Sequence, residues 1–379
     1  MRESPIHGGD VWRVASEYAI PASQLLDFSA NVNPRGLPAG ARRQLLRDAA
    51  DVSLLMRYPD PCGDPLRAAL SSRLGVPERS IVVGEGAEAL LAAAVRSLGA
   101  RHCLVPVPSF SEYARVCAAS GATLHPFALN PTSNFRLAVE KFGRMLRSGQ
   151  WDTAIVNNPH NPSGALLGSS ELWEILEAAA HPGTGLVLDE AFIDYAEHAS
   201  LVRTAAERSG VIVVRSLTKF YGCPALRVGY AVGTPECINR VAGMMPTWPV
   251  TLLALNAMTE ALLDEDYARA TLQENSLEQA RLSAGFARLG AAVFPSAANY
   301  LLVQLKEEWA SAPQLRDRLI REHCILVRNC DSYDGLKTGR YVRIAVRSAD
   351  ENDRLLGALE TVLKGQSPHD SARPDTTED

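Results

Sequence analysis

Short apolar runs bounded by polar residues recur through the first two thirds of the chain, at 81–83, 103–105, 122–126, 153–156, 186–188, 211–214 and 228–232. The run at 211–214 is apolar and β-branched throughout and predicts a strand buried on both faces. Helical periodicity covers 41–56 and 64–74, and an Ala/Leu-rich stretch follows residue 86. Strands separated by helices predict an α/β fold: a mainly parallel sheet with helices on both faces. After about Pro249 the texture changes. Long amphipathic helices are expected over 251–265 and 266–289, with further helices at 314–322 and 350–364. Strands at 299–304, 325–327 and 341–346 complete a smaller α+β unit. The expected division is therefore a large domain at 41–250 and a small one at 251–365. Residues 1–40, with HGGD at 7–10 and FSANVNPRGLP at 28–38, predict an irregular N-terminal arm lying across another surface. The polar tail, 366–379, is expected to be disordered.

Composition narrows the class rather than the fold. In 379 residues, 46% hydrophobic and 21% charged content is ordinary for a soluble globular protein. The net charge of −5, without a long basic stripe, argues against nucleic acid as a partner. No run is long enough to span a bilayer and the first residues carry no apolar leader, so no membrane association is expected. Seven scattered cysteines without a C-x-x-C pair suit a reducing compartment, and the reading is cytoplasmic with no metal site.

The chemistry concentrates after the run at 211–214, in RSLTKFYGCPALRVGY (215–230). Lys219 stands just past a buried strand, where desolvation favours the neutral amine, so it is a candidate Schiff-base lysine. Such a lysine needs an aldehyde cofactor, and pyridoxal phosphate is the common one. Ser216 and Arg227 flank the lysine with a hydroxyl and a fork donor for its phosphate. Ser216-x-x-Lys219 and Lys337-Thr338-Gly339 also match two signatures of serine β-lactamases, but the third, S-x-N, is missing between them.

Other motifs sit at the ends of the predicted strands, where open α/β sheets bind ligands. Gly84-x-Gly86-x-x-Ala89 follows a strand and opens a helix, and the amides of Gly86, Ala87 and Glu88 there can cradle a phosphate. Asp189, after the 186–188 run, can hold a pyridine nitrogen protonated; a helix-capping Asp is the ordinary alternative. Asn161, in the turn NPHNPSG (158–164), can donate to a ring hydroxyl. Phe110 can stack on a ring.

Taken in order, GAE (86–88), PSF (108–110), NPSG (161–164), DEAF (189–192), SLTK (216–219) and ALRVGY (225–230) resemble the fold type I pyridoxal-phosphate enzymes near histidinol-phosphate aminotransferase. The resemblance runs from His7 to about Leu363. It is closer to the branch that decarboxylates O-phosphoamino acids, through HGGD (7–10), LLDFSANVNPRGLP (25–38), RYPDP (57–61), MPTWPV (245–250) and YVRIAVRSADENDRLL (341–356). It implies that Lys219 binds the cofactor covalently, Asp189 pairs with its ring nitrogen, Asn161 bonds its hydroxyl, and Phe110 stacks on it. It also implies that Gly86, Ala87, Glu88, Ser216 and Arg227 hold the phosphate, joined by Tyr58 from a neighbouring subunit, hence a homodimer, with the arm contributing to the small domain and to the partner's site. Phe192 replaces a tyrosine that donates to the ring hydroxyl in the aminotransferases. His7, Gly8, Asn31, Arg328, Arg343 and Arg347 are the expected substrate-binding residues, with Arg347 either on the face of Arg343 or at a helix start. The implied reaction is decarboxylation of L-threonine O-3-phosphate for the linker of the cobalamin nucleotide loop. Aminotransfer to histidinol phosphate and decarboxylation of serine phosphate are the alternatives.

Overall fold

The computed structural model describes residues 8–180 and 184–364. Its strands are β1 (Leu26–Asp27), β2 (Ile81–Gly84), β3 (His102–Val107), β4 (Thr123–Ala128), β5 (Thr153–Asn157), β6 (Gly185–Asp189), β7 (Val211–Ser216), β8 (Gly229–Val232), β9 (Ala292–Val293), β10 (Tyr300–Gln304), β11 (Ile325–Leu326), β12 (Arg328–Asn329) and β13 (Tyr341–Ala345). Seven of them form one sheet in the order β2-β8-β7-β6-β5-β3-β4. Within it β8 runs antiparallel to both neighbours and the other pairings are parallel.

Successive side chains leave a strand on opposite faces, and β7 shows why its run has no polar member. Ile212 and Val214 pack with helices Gly86–Ser97 and Pro235–Ala242 on one face. Val211 and Val213 pack with helices Val139–Leu146 and Ser169–Ala179 on the other. Both faces are covered, so every position is apolar.

The smaller sheet, order β12-β13-β10-β9, is antiparallel, and its core takes Leu282 and Phe286 from helix Glu265–Leu289. Here the expected boundary at residue 250 needs correcting. Helix Leu252–Leu262 buries Ala254, Leu255, Met258 and Ala261 against Leu66, Leu70 and Tyr230, which belong to the flank of the large sheet. Periodicity reports that a helix has a buried face, not which core receives it, and the packing moves the change of core into the Glu265–Leu289 helix.

The arm is better ordered than expected. It carries a helix, Val11–Tyr18, and its β1 pairs in parallel with β11, a two-residue ladder too short to mark the sequence. Fully buried Phe28 then packs in the small-sheet core. The tail and His7 lie outside the described residues.

Candidate active site

Parallel strands β3, β5, β6 and β7 all end along one edge of the large sheet, and a cavity of about 240 Å³ lies there. It is walled by Asp189 from the end of β6, Ser216, Thr218 and Lys219 beyond β7, Asn157 and Asn161 beyond β5, and Phe110 beyond β3. Ala87 and Glu88 enter from the first turn of helix Gly86–Ser97. Gly8, Ser29, Ala30 and Asn31 of the arm close one side, and Arg328, Tyr333 and Arg343 of the small sheet close the other.

Burial pushes the Lys219 amine down to about 8, helped by the charges of Arg343 and Arg227 and opposed by Asp189. The neutral, nucleophilic amine is therefore far more populated near neutral pH than that of an ordinary lysine. Burial has the opposite sense for a carboxyl group and pushes Asp189 up to about 6. The Tyr113 hydroxyl donates to Asp189 Oδ2 at 2.5 Å and the Ala191 amide to Oδ1 at 3.0 Å, and both favour the anion.

The turn at 158–164 is tied to this strand end. Asn157 donates to the Asp189 carbonyl at 2.8 Å, and its own side-chain oxygen accepts the Asn161 amide at 2.7 Å. Buried His160 joins the turn to the Phe110 loop: Nε2 lies 2.8 Å from the Pro108 carbonyl and Nδ1 2.7 Å from the Ser163 hydroxyl. A carbonyl only accepts, so Nε2 carries the proton and Nδ1 accepts. Burial holds this imidazole down to about 4, neutral at physiological pH. Asn161 Oδ1 accepts from Arg343 Nη1 at 2.7 Å. A guanidinium only donates, which fixes the amide with its NH2 available to a ligand.

Gly86 has φ +74°, and a Cβ there would stand 2.6 Å from Arg227 Nη2. At Gly229 a Cβ would meet the Ala87 amide nitrogen at 2.9 Å. Only glycine lets the guanidinium and strand β8 approach the helix N-terminus this closely. Ser216 Oγ and Thr218 Oγ1 lie 2.9 Å apart beside it. Amides, hydroxyls and a guanidinium converging on one spot form a donor set that suits a phosphate.

Arg328 and Arg343 are directly opposite one another in the β12–β13 ladder. Like charges in that position repel. Tyr333 sits with both: its hydroxyl accepts from Arg343 Nη1 at 3.0 Å, and the Arg328 guanidinium lies 5.2 Å from its ring centre. Arg343 Nη2 also donates to the Ser29 carbonyl at 2.8 Å, which ties the arm to the small sheet.

The structure thus brings together Gly8, Asn31, Ala87, Glu88, Phe110, Asn161, Asp189, Ser216, Lys219, Arg227, Arg328 and Arg343, with Gly86 against Arg227. One expected residue falls elsewhere. Arg347 is absent from the cavity: it donates to the Asp27 carbonyl at 3.0 Å and pairs with Glu351 at 2.8 Å, at the start of helix Ala349–Lys364. Four residues beyond Arg343, it has left β13, and strand alternation no longer places it. Gly8 and Asn31 line the cavity of their own chain, where β1 and Phe28 bind the arm to its own small sheet. Tyr58 is 77% exposed and stacks on Trp248 with ring centres 4.5 Å apart, outside the cavity of its own chain. Sequence reasoning also missed Ser29, Thr218, Glu112, Tyr113 and Tyr333. Tyr113, one helical turn beyond Phe110, was within reach of spacing arguments, whereas Tyr333 lies in an aperiodic loop.

A doubly wound sheet with a depressed-pKa lysine, a strand-end carboxylate and a phosphate cradle at its edge defines a lysine-centred enzyme of the aminotransferase type. The chain belongs to the family of aminotransferases class I and II, whose model matches residues 23–359. Among its relatives is the threonine-phosphate decarboxylase of Salmonella typhimurium, 34% identical over 96% of this chain and 98% of the relative. The crystal structure of L-threonine-O-3-phosphate decarboxylase from Porphyromonas gingivalis superposes with a TM-score of 0.77 at 26% identity, covering 89% of this chain and 99% of that one. Histidinol-phosphate aminotransferase from Sinorhizobium meliloti, solved with pyridoxal-5'-phosphate, reaches a TM-score of 0.85 at 22% identity over 97% of each chain, a likeness of fold.

Proposed function

We propose that the chain is a pyridoxal-phosphate-dependent carboxy-lyase that converts L-threonine O-3-phosphate to (R)-1-amino-2-propanol O-2-phosphate and CO2, for the linker of the cobalamin nucleotide loop. The observation that carries the reading is the pair Arg328 and Arg343, opposed across one ladder at the mouth of the lysine cavity. Two adjacent cations on the substrate side, additional to Arg227 at the cofactor phosphate, match a substrate bearing both a carboxylate and a phosphate.

When bound, pyridoxal phosphate supplies an electron sink for the pair left behind when a bond at the substrate's Cα breaks. Each residue then has a task. Gly86, Ala87, Glu88, Ser216 and Arg227 hold the cofactor phosphate, Phe110 covers the ring, and Asn161 donates to its hydroxyl. Asp189 holds a proton at the ring nitrogen. Arg328, Arg343 and the arm residues Gly8 and Asn31 fix the two anions of the substrate. Orientation would decide the outcome, because Arg328, Arg343 and the arm would fix which bond at Cα is presented for cleavage. With the phosphate clamped by these residues, the carboxylate would be the group released as CO2, and Lys219 Nζ would return a proton to Cα. Phe192, which offers no donor to the ring hydroxyl, favours this over aminotransfer.

We further place the enzyme in the cytoplasm as a homodimer. All seven cysteines are free thiols, which suits a reducing compartment. Exposed Val52, Leu55, Met56 and Tyr58 form an apolar face of the kind that subunits cover, and Tyr58 on it would reach the partner's phosphate site.

The deciding assay supplies enzyme, pyridoxal phosphate and L-threonine O-3-phosphate without any oxo acid. CO2 and aminopropanol phosphate should form in equal amounts. Absence of CO2, with 2-oxoglutarate-dependent conversion of histidinol phosphate, would reassign the chain to aminotransfer. Serine phosphate should turn over less well by about tenfold or more, since one methyl in a fitted pocket is worth about 1–3 kcal/mol.

A further inference from the structure

We propose that Tyr113 is a positioning residue for the reaction: from behind the cavity it holds the Asp189 carboxylate so that the proton shared with the cofactor resides on the ring nitrogen. The inference rests on the functional reading above and assigns a role to a side chain outside the cofactor's reach.

Tyr113 belongs to helix Glu112–Ala119, one turn beyond Phe110, and its ring meets that of Phe110 edge-on with centres 5.7 Å apart. Asp189 faces the cavity, while Tyr113 lines a separate small apolar void behind it, with Pro106, Ile155 and His160. Tyr113 is 1% exposed and its hydroxyl is committed to Asp189 Oδ2 at 2.5 Å. The Ala191 amide takes a position on Oδ1. The two donors fix the rotation of the carboxylate, and its remaining lone pairs are left for the cavity.

The energetic consequence follows from burial. A carboxylate this deep has an elevated proton affinity, which shifts the sharing of a proton with a pyridine nitrogen toward the carboxylate. A donor bonded to the anion lowers that affinity, so the proton stays on nitrogen and the electron sink stays charged. Because Phe110 and Tyr113 ride on the same helix start, the group that stacks on the ring and the group that governs its nitrogen are set by one piece of backbone. A tyrosine serving only as core filler would need no hydroxyl, and burying an unpaired one is unfavourable.

The test uses holoenzyme reconstituted with pyridoxal phosphate enriched in 15N at the ring nitrogen. In the wild type the 15N resonance should lie at the pyridinium position. In Tyr113→Phe it should move toward neutral pyridine, and kcat should fall about tenfold with KM unchanged, the scale of one charge-assisted hydrogen bond. In an Asp189→Asn background the same change should add nothing, since no carboxylate remains to be tuned. Fluorotyrosine at 113, a more acidic donor that keeps the ring, should hold the resonance at the pyridinium position, and this arm reads the hydroxyl even if the Phe variant folds poorly. An unmoved resonance with wild-type kcat in Tyr113→Phe overturns the inference alone. A wild type that takes up no labelled cofactor overturns the functional reading, and this inference with it.

Discussion

Lys219 is where position in the chain becomes reactivity. Its amine is pushed down to about 8, first by burial and then by Arg343 and Arg227. Only the neutral amine attacks an aldehyde, so capture of pyridoxal phosphate by the cofactor-free protein should quicken about tenfold per pH unit below about 8 and level off above it. Stopped-flow absorbance on the apoprotein checks this, and a profile flat from pH 6 to 8 would contradict the assigned environment. The same shift has a sign for stability. Between about 8 and the ordinary value of 10.5 the unfolded chain holds this proton and the folded one does not, so the group's contribution favours folding increasingly as pH rises through that window.

Among the elements, β6 and β7 owe their alignment at the cavity edge to a buried charge network as well as to their ladder. Arg215, near the end of β7 and 1% exposed, donates Nε to Glu190 at 2.9 Å and its terminal nitrogens to Glu197 at 3.0 Å, with Tyr230 and Ser200 completing its shell. Glu190 is next to Asp189, and Arg215 is next to Ser216, so the network braces both sides of the site one residue away from it. Arg215→Ala leaves the Glu190 carboxylate buried without its counter-ion and should destabilise the fold by about 3–5 kcal/mol. Urea unfolding followed by tryptophan fluorescence measures this; a loss under about 1 kcal/mol would mean that the pair is solvated in the native state.

For the whole molecule, the arm joins the two sheets and the exposed apolar face asks for a second copy. Met56 is 82% exposed in the single chain, beside Tyr58. Met56→Asp places a charge where a partner's apolar surface would lie. Light scattering should find a dimer for the wild type and a monomer for this variant, whose cofactor should be lost more readily on dialysis. A variant that stays dimeric and retains its cofactor would remove this face from the interface.

Much of this protein was legible in one dimension. The central runs of the large sheet, 186–188 and 211–214, are apolar throughout because helices cover both faces, whereas the edge strand β4 carries Thr123 and His125. The cofactor side of the cavity was legible for a related reason. In an open parallel sheet the strand ends converge on one edge, so polar residues that directly follow apolar runs, such as Asp189, Ser216 and Lys219, must meet there. Position relative to a strand end is a local property. What tertiary structure decided is everything that depends on which surfaces meet. Helix Leu252–Leu262 joined the large core because a helical stripe carries no address for its partner. Arg347 turned to Asp27 and Glu351 once β13 had ended, whereas Arg343 and Arg328 were brought face to face by a ladder register that neither segment encodes alone. Asp189 and Tyr113 are 76 residues apart, and only the packing of helix Glu112–Ala119 against the end of β6 makes one govern the other.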